Sequence, residues 1–310
     1  MSMIKLKEKP VRTKNERQLR RDKIISFIVL AIVSLIWIIP LLYMLGTSFK
    51  TDTELQLHPE SLFPTSPDAW TIKHYEGFVI RDGAIDNMPL WMLNSLWSTA
   101  ASVVLTLALD LITAYAVVFL EFRGKKFFMK FLLLWMAIPG VIGTAPSFSI
   151  YAAMRNAFGF SEGASAYMYI YSWFIVPGTT GIFNMLLMRN FFASIPKDIV
   201  ESARSDGASN AKIFFKIVCP LAKSTMMLII LFTFAGSWNN LLWPQMLLTG
   251  ESSYWQTVTV ALSDRGGESA WSAIGINMAT AVFSLLPILI VFLITQNKMI
   301  DGLASTGVKR

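Results

Sequence analysis

Charge is scarce in this chain. Of its 310 residues only 15% are charged, whereas 54% are hydrophobic. A soluble domain carries about 25% charged residues, so lipid rather than water must surround most of this one. There is one cysteine, Cys219, which excludes a disulfide within the chain. The two histidines, His58 and His74, lie in one polar segment. With no H-E-x-x-H and no cysteine cluster, the sequence carries no recognisable metal site. Nor can a Ser–His–Asp set be assembled at one membrane face, which argues against an intramembrane hydrolase. No G-x-x-x-x-G-K-[ST] occurs, since Gly124-Lys125-Lys126 lacks both the loop and the hydroxyl. By motif the chain binds no cofactor, and any ATP hydrolysis has to come from another chain.

What the chain has is long apolar runs. Residues 1–23 form a basic arm with nine Lys or Arg. Such an arm is expected to be disordered or to lie on an anionic inner leaflet. The uncharged run Ile24–Phe49 follows, 26 residues long. A membrane span needs about 20 residues, and a cleaved signal peptide would have an apolar core of only about 7–15. Pro40 lies inside this run, at a position where a helix can kink. Further spans are expected near Asn94–Leu120, Phe131–Met154, Tyr167–Met188, Ser224–Leu248 and Ser272–Thr295. Pro139-Gly140 and Pro177-Gly178 fall inside two of them and mark either kinks or a pathway. The expected architecture is an all-α polytopic membrane protein with six transmembrane helices over 24–295. Two polar loops, 50–90 and 250–271, and a flexible tail, 296–310, complete it.

Charge orients the bundle. With the N-terminus inside, 22 of the 27 Lys and Arg fall on inner segments and five on outer ones. The positive-inside rule then places both termini in the cytoplasm and both polar loops outside. The net charge of +7 is thereby a topological device, and no nucleic-acid partner is needed to explain it.

One inner segment, 189–223, is too charged to cross a bilayer. Within it SIPKDIVESARSDGASNAKIFFKIVCP reads as two short helices and a bend. Ser194 can cap the first helix, with Pro196 in its first turn and Gly207 at the bend. Ser209 or Asn210 can cap the second helix, and Pro220 marks its end. Ile213, Phe214 and Ile217 share one side of that second helix. An exposed hairpin with an apolar stripe suits docking into a partner's groove.

Two other groups stand out. Asp110 lies in the second span, and no span contains a Lys or Arg to pair with it. A carboxylate at that depth costs at least about 2.5–3.5 kcal/mol. It therefore lines a cavity or substrate path, or is hydrogen-bonded in packing. Trp238, Asn239, Asn240 and Trp243 cluster on about two helical turns. Indoles stack on sugar rings and amides bond hydroxyls. The same residues also make an interfacial anchor with interhelical amide bonds.

The spacing of Glu201-Ser202-Ala203, Gly207, Ile217 and Pro220 resembles the EAA loop of ABC-transporter permeases, whose pattern is E-A-A, three residues, G, nine residues, I, one residue, L-P. Ser202 replaces the first Ala and Cys219 the Leu. Asp206-Gly207-Ala208 resembles the sugar-transporting branch, and Trp238 to Pro244 resembles its W-N-x-x-x-W-P segment. Phe234–Pro244 and Asp301–Lys309 are similar to the smaller permease subunit of maltose-type transporters.

The resemblance implies a type I ABC importer permease that moves an oligosaccharide or related carbohydrate and is not itself an enzyme. It implies a second homologous permease as heterodimer partner, a cytoplasmic ABC ATPase dimer that uses ATP and Mg, and an extracytoplasmic solute-binding protein. Glu201, Ser202, Ala203, Asp206, Gly207, Ile217 and Pro220 would then be the ATPase-docking residues. Gly302 and Gly307, in the tail, would reach between the ATPase subunits. Asp110, Trp238, Asn239, Asn240 and Trp243 are the candidate substrate pathway. An ABC permease for another solute such as glycerol phosphate is the alternative, and a secondary carrier or membrane scaffold is a further one.

Overall fold

The computed structural model describes residues 14–76, 88–157, 181–248, 256–265 and 271–307. Among these residues the backbone is helical apart from turns and one β-bridge, Lys50 to Trp70. Four helical stretches are long and apolar enough to cross a membrane: Gln18–Ser48, Met88–Phe119, Lys223–Met246 and Ala273–Asn297.

Helix α1, Lys14–Ser48, starts inside the arm expected to be disordered and runs unbroken past Pro40. Arg, Gln, Leu and Lys are good helix formers, and extending an existing helix costs far less than nucleating one. Nearly all of α1 is exposed, Trp37 to 75%. So long an exposed apolar surface suits a bilayer, where a helix satisfies its own backbone.

Two short helices follow, α2 (Asp52–Leu57) and α3 (Lys73–Glu76), before the central helix α4 (Met88–Phe119). The buried face of α4 carries Trp91, Ser95, Ser98, Ser102, Thr106, Asp110, Ala114 and Val117. Steps of three or four put these on one side, and small side chains there let neighbouring helices approach closely. The third expected span divides into α5 (Lys125–Met136) and α6 (Thr144–Ala157), with a 3₁₀ turn at Gly140–Gly143 between them. Pro139 supplies no N–H and interrupts the ladder there. Helix α7 (Gly181–Ser194) covers the end of the fourth expected span. Residues 167–180, with Pro177-Gly178, lie outside the described residues.

The hairpin helices α8 (Lys197–Ser205), α9 (Asn210–Ile213) and α10 (Cys219–Leu221) lead into α11 (Lys223–Trp238). The fifth expected span is broken, and it resumes as α12 (Leu242–Leu248). The second polar loop contains α13 (Val258–Arg265), and α14 (Trp271–Gly307) ends the described chain. Helix α4 packs against α7, α11 and α13, and α14 against α11 and α1. The tail is a continuation of α14 through Gly302 to Gly307, against the expectation of a flexible segment.

Residues 49–76 fold as a cap at the end of the bundle away from the hairpin. Lys50 is fully buried, and its ammonium donates to the carbonyls of His58 (2.9 Å) and Ser61 (2.6 Å). Burial pushes its pKa down, against the opposing pull of Glu54 and Glu60. The Thr65 N–H, 2.9 Å from Glu54 Oε1, holds that carboxyl below the usual range. His74 is buried, with Nε2 2.8 Å from the Lys50 carbonyl. Its ring lies directly on Gly275 of α14, where a Cβ would overlap it. Gly275→Ala is therefore expected to destabilise the protein by about 1–3 kcal/mol, as overpacking does. Thermal unfolding in detergent should show the loss, and adding His74→Ala, itself destabilising, should cost less than the sum of the two single changes because the overlap is gone.

Candidate functional site

The hairpin is built from its ends inward. The Ser194 hydroxyl donates to the Phe191 carbonyl at 2.6 Å and so closes α7. It does not cap α8, as the sequence reading expected. Pro196 takes that position, and Ile195, buried beside it, pins the chain. At the other end of α8, Gly207 has φ +78°. The Ala208 N–H reaches the Ala203 carbonyl, and the Gly207 N–H the Arg204 carbonyl, both at 3.0 Å. This pair of bonds is a Schellman motif, which needs the left-handed conformation glycine adopts freely.

Of the two caps proposed for the second helix, Ser209 serves, accepting the Lys212 N–H at 3.3 Å. The helix then passes through one π-helical turn, Phe214–Val218. Pro220 does not end it; it lies in α10, and the bend falls at Ala222.

The apolar stripe is not free for a partner. Ile213 and Val218 are fully buried, and Phe214 and Ile217 pack on the same core as Leu111, Ala114, Met188 and Phe192. Tyr115 meets Phe214 edge-on at 5.1 Å. The stripe therefore glues the hairpin to α4 and α7. Two polar contacts add to it: Arg204 Nη2 donates to the Phe119 carbonyl (2.8 Å), and the Tyr115 hydroxyl to the Asn210 carbonyl (3.2 Å). The first meets an unpaired carbonyl at a helix C-terminus, where a cation is favoured. Sequence reasoning missed Tyr115 and Arg204 because neither pairing leaves a local signal.

Glu201, Ser202, Asp206, Gly207 and Pro220 are exposed, while Ala203 and Ile217 are half-buried against the core. Glu201 makes no ion pair among the described residues. Burial pushes the Cys219 thiol pKa up, which disfavours the reactive thiolate. The exposed rim is thus a mixed-charge surface of small residues on a rigid turn.

Asp110 is elsewhere, in the bundle's own core. Phe119 and Phe192 are in ring contact at 6.1 Å, which sets α4 and α7 side by side. Asp110 and Asn184 lie roughly 13–14 Å and 12 Å above that contact, at about 1.5 Å rise per residue. Asn184 Nδ2 donates to Thr233 Oγ1 of α11 at 3.1 Å. Asp110 is buried and its Oδ2 has no hydrogen-bond partner among the described residues.

The Trp-Asn cluster straddles the break after α11. Trp238 is buried, stacked on Phe234 at 5.6 Å, and its Nε1 donates to the Ser284 carbonyl at 3.0 Å. Asn240 Oδ1 accepts the Trp243 N–H (3.4 Å), and its carbonyl accepts the Thr259 hydroxyl (2.9 Å). Those two residues hold α11, α12 and α13 together. Asn239 is exposed and Trp243 half-buried.

Membrane-length helices bundled around a polar-faced α4, with a charged hairpin folded between α7 and α11, define a multi-pass membrane protein. Residues 111–299 match the family described as binding-protein-dependent transport system inner membrane component, and the chain belongs to that family. It is similar to the diacetylchitobiose uptake system permease NgcG of Streptomyces coelicolor, with 28% identity over 94% of this chain and 90% of the relative. The arabinooligosaccharides transport system permease AraQ of Bacillus subtilis is 28% identical, covering 89% of this chain and 92% of the relative. The sn-glycerol-3-phosphate transport system permease UgpE of Yersinia pestis is 26% identical over 91% and 96%. The fold is shared with a chain of a bacterial ABC transporter involved in alginate import. The TM-score is 0.72 at 21% identity, covering 93% of this chain and 99% of that one.

A buried carboxylate oxygen without a partner costs about 1–3 kcal/mol or more. Asp110→Asn is accordingly expected to keep or raise the thermal stability of the purified protein. A fall in Tm would show that the ionised carboxylate is held by a partner.

Proposed function

We propose that this chain is one transmembrane subunit of an ATP-driven importer for an oligosaccharide or related carbohydrate. The observation that carries this reading is the braced hairpin. Its exposed rim holds Glu201, Ser202, Asp206 and Gly207 beside half-buried Ala203, and it joins α7 directly to α11. A push on the rim therefore moves two helices at once.

The partner on that rim is a cytoplasmic ABC ATPase dimer, which supplies the ATP and Mg chemistry this chain lacks. A second permease completes the pathway as a heterodimer, and an extracytoplasmic binding protein delivers the solute. The oligosaccharide relatives support a carbohydrate. Exposed Asn239 and half-buried Trp243 offer an amide and an indole to it, Asn240 sets the break that presents them, and Trp238 anchors them to α14. Asp110, buried on α4, is the candidate acid of that path. The helical end of α14, with Gly302 and Gly307, reaches the ATPase as an extension of the span. The glycerol-phosphate relative supports a second reading of the solute, and uptake assays with each substrate decide between them.

Gly207→Val forces a β-branched residue into the left-handed turn, and Glu201→Lys reverses the charge on the rim. Both variants should retain the partner permease but lose ATPase co-purification or solute-stimulated ATP hydrolysis in vesicles. Wild-type coupling in both would remove the docking assignment.

Orientation is tested independently. In a Cys219→Ser chain, single cysteines at Ser66 and Ser205 should react with an impermeant reagent from outside and only after permeabilisation, respectively. Labelling of Ser205 from outside would reverse the topology.

A further inference from the structure

The two arms of the hairpin differ in charge. The first arm and bend hold Lys197, Asp198, Glu201, Arg204 and Asp206. The second, residues 209–223, holds Lys212, Lys216 and Lys223 and no acid at all. All three lysines are exposed, and none forms an ion pair among the described residues. Between the first two projects Phe215, exposed to 69%, one turn from Lys212 and adjacent to Lys216. The opposite side of this arm is fixed, with Ile213, Val218 and Ala222 fully buried. The arm cannot turn its lysines and its phenylalanine inward without breaking that core. It also runs straight into a membrane-length stretch that begins at Lys223.

We propose that this second arm is an anionic-lipid site, in which Lys212, Lys216 and Lys223 hold phospholipid phosphate groups and Phe215 inserts among the acyl chains. An amphipathic segment with Lys on one rim and an aromatic residue beside it suits the headgroup boundary. Lysine ammonium groups reach phosphates while their stems lie along apolar surface. The absence of any acid on the arm leaves three uncompensated positive charges at one membrane surface, and anionic headgroups match them. None of the three lysines nor Phe215 is a docking residue, and of the docking residues only Ile217, half-buried, and Pro220 lie on this arm; nor does the site depend on which leaflet the hairpin faces.

The test uses the whole transporter complex in nanodiscs of phosphatidylcholine with and without phosphatidylglycerol. Native mass spectrometry reads the preference for retained phosphatidylglycerol over phosphatidylcholine. Lys212→Gln with Lys216→Gln should lower that preference roughly fivefold per lysine removed, since each basic residue near an anionic surface contributes about that factor. Lys212→Arg with Lys216→Arg should keep it. In a Cys219→Ser background, a fluorophore on Phe215→Cys should be quenched by headgroup-proximal spin-labelled lipid and shielded from an aqueous quencher. Unchanged lipid preference in the Gln variant would overturn the proposal, as would quenching of position 215 from water alone. Loss of the ATPase with unchanged lipid retention would instead make this arm a protein interface. Glu201→Lys should leave lipid retention unaltered, which keeps this test separate from the docking test.

Discussion

The hairpin rests on the last two turns of α4 through an aromatic and polar junction. Tyr115 packs on Phe214, Phe119 on Phe192, and the Arg204 guanidinium caps the α4 end through the Phe119 carbonyl. Beneath these contacts Ile213, Val218 and Ala222 are fully buried. A close-packed interior responds to force by shifting between discrete arrangements, not by yielding gradually. Force applied at the rim therefore passes into α4 as well as into the two helices the hairpin joins in sequence. A loosely attached loop of the same composition would dissipate the same push in side-chain motion.

The junction also explains what was legible in the sequence and what was not. The Gly207 bend was readable because its signal is local: a glycine after a short helix, followed by a Ser that can cap the next. The structure realises both with backbone bonds of 3.0 Å and a cap at 3.3 Å. The stripe Ile213, Phe214, Ile217 was also readable as a stripe, but periodicity says only that a face is buried. It does not say against what. Here the occupant is the chain's own α4 and α7, and the surface left for partners is small and polar. Arg204 and Tyr115 were invisible for the complementary reason, since their partners lie 85 and 95 residues away. Two helices outran their apolar runs, at Lys14 and Gly307. Composition marks where lipid begins, whereas a helix stops only where its hydrogen bonding is broken.

The Trp-Asn segment shows how one residue type serves opposite purposes a single position apart. Trp238 spends its indole on Phe234 and the Ser284 carbonyl, and Asn240 spends its amide oxygen on the Trp243 N–H. Both are occupied by the fold. Asn239 and Trp243 remain at least partly open only because those bonds break the helix there and turn it. The carbonyl of Asn240 accepts the Thr259 hydroxyl, and Ser95 of α4 accepts the Val258 N–H at 2.9 Å. The break after α11 is thereby tied through α13 to the far end of α4.

Helix α4 is thus gripped at both ends, by the hairpin at Tyr115–Phe119 and by the 256–259 segment at Asn94 and Ser95. Between the grips its buried face carries Ser98, Thr99, Ser102, Thr106 and Asp110, and then Leu111 and Ala114, which pack in the same core as Met188 and Phe192. The small side chains among these let the neighbouring helices approach closely. Large apolar side chains at the same places would key α4 to its neighbours through volume complementarity. Asp110 fixes which face of α4 points inward. A carboxylate cannot move toward lipid without a cost of several kcal/mol, so the buried acid keeps that face of α4 turned into the bundle, against α7 and α11.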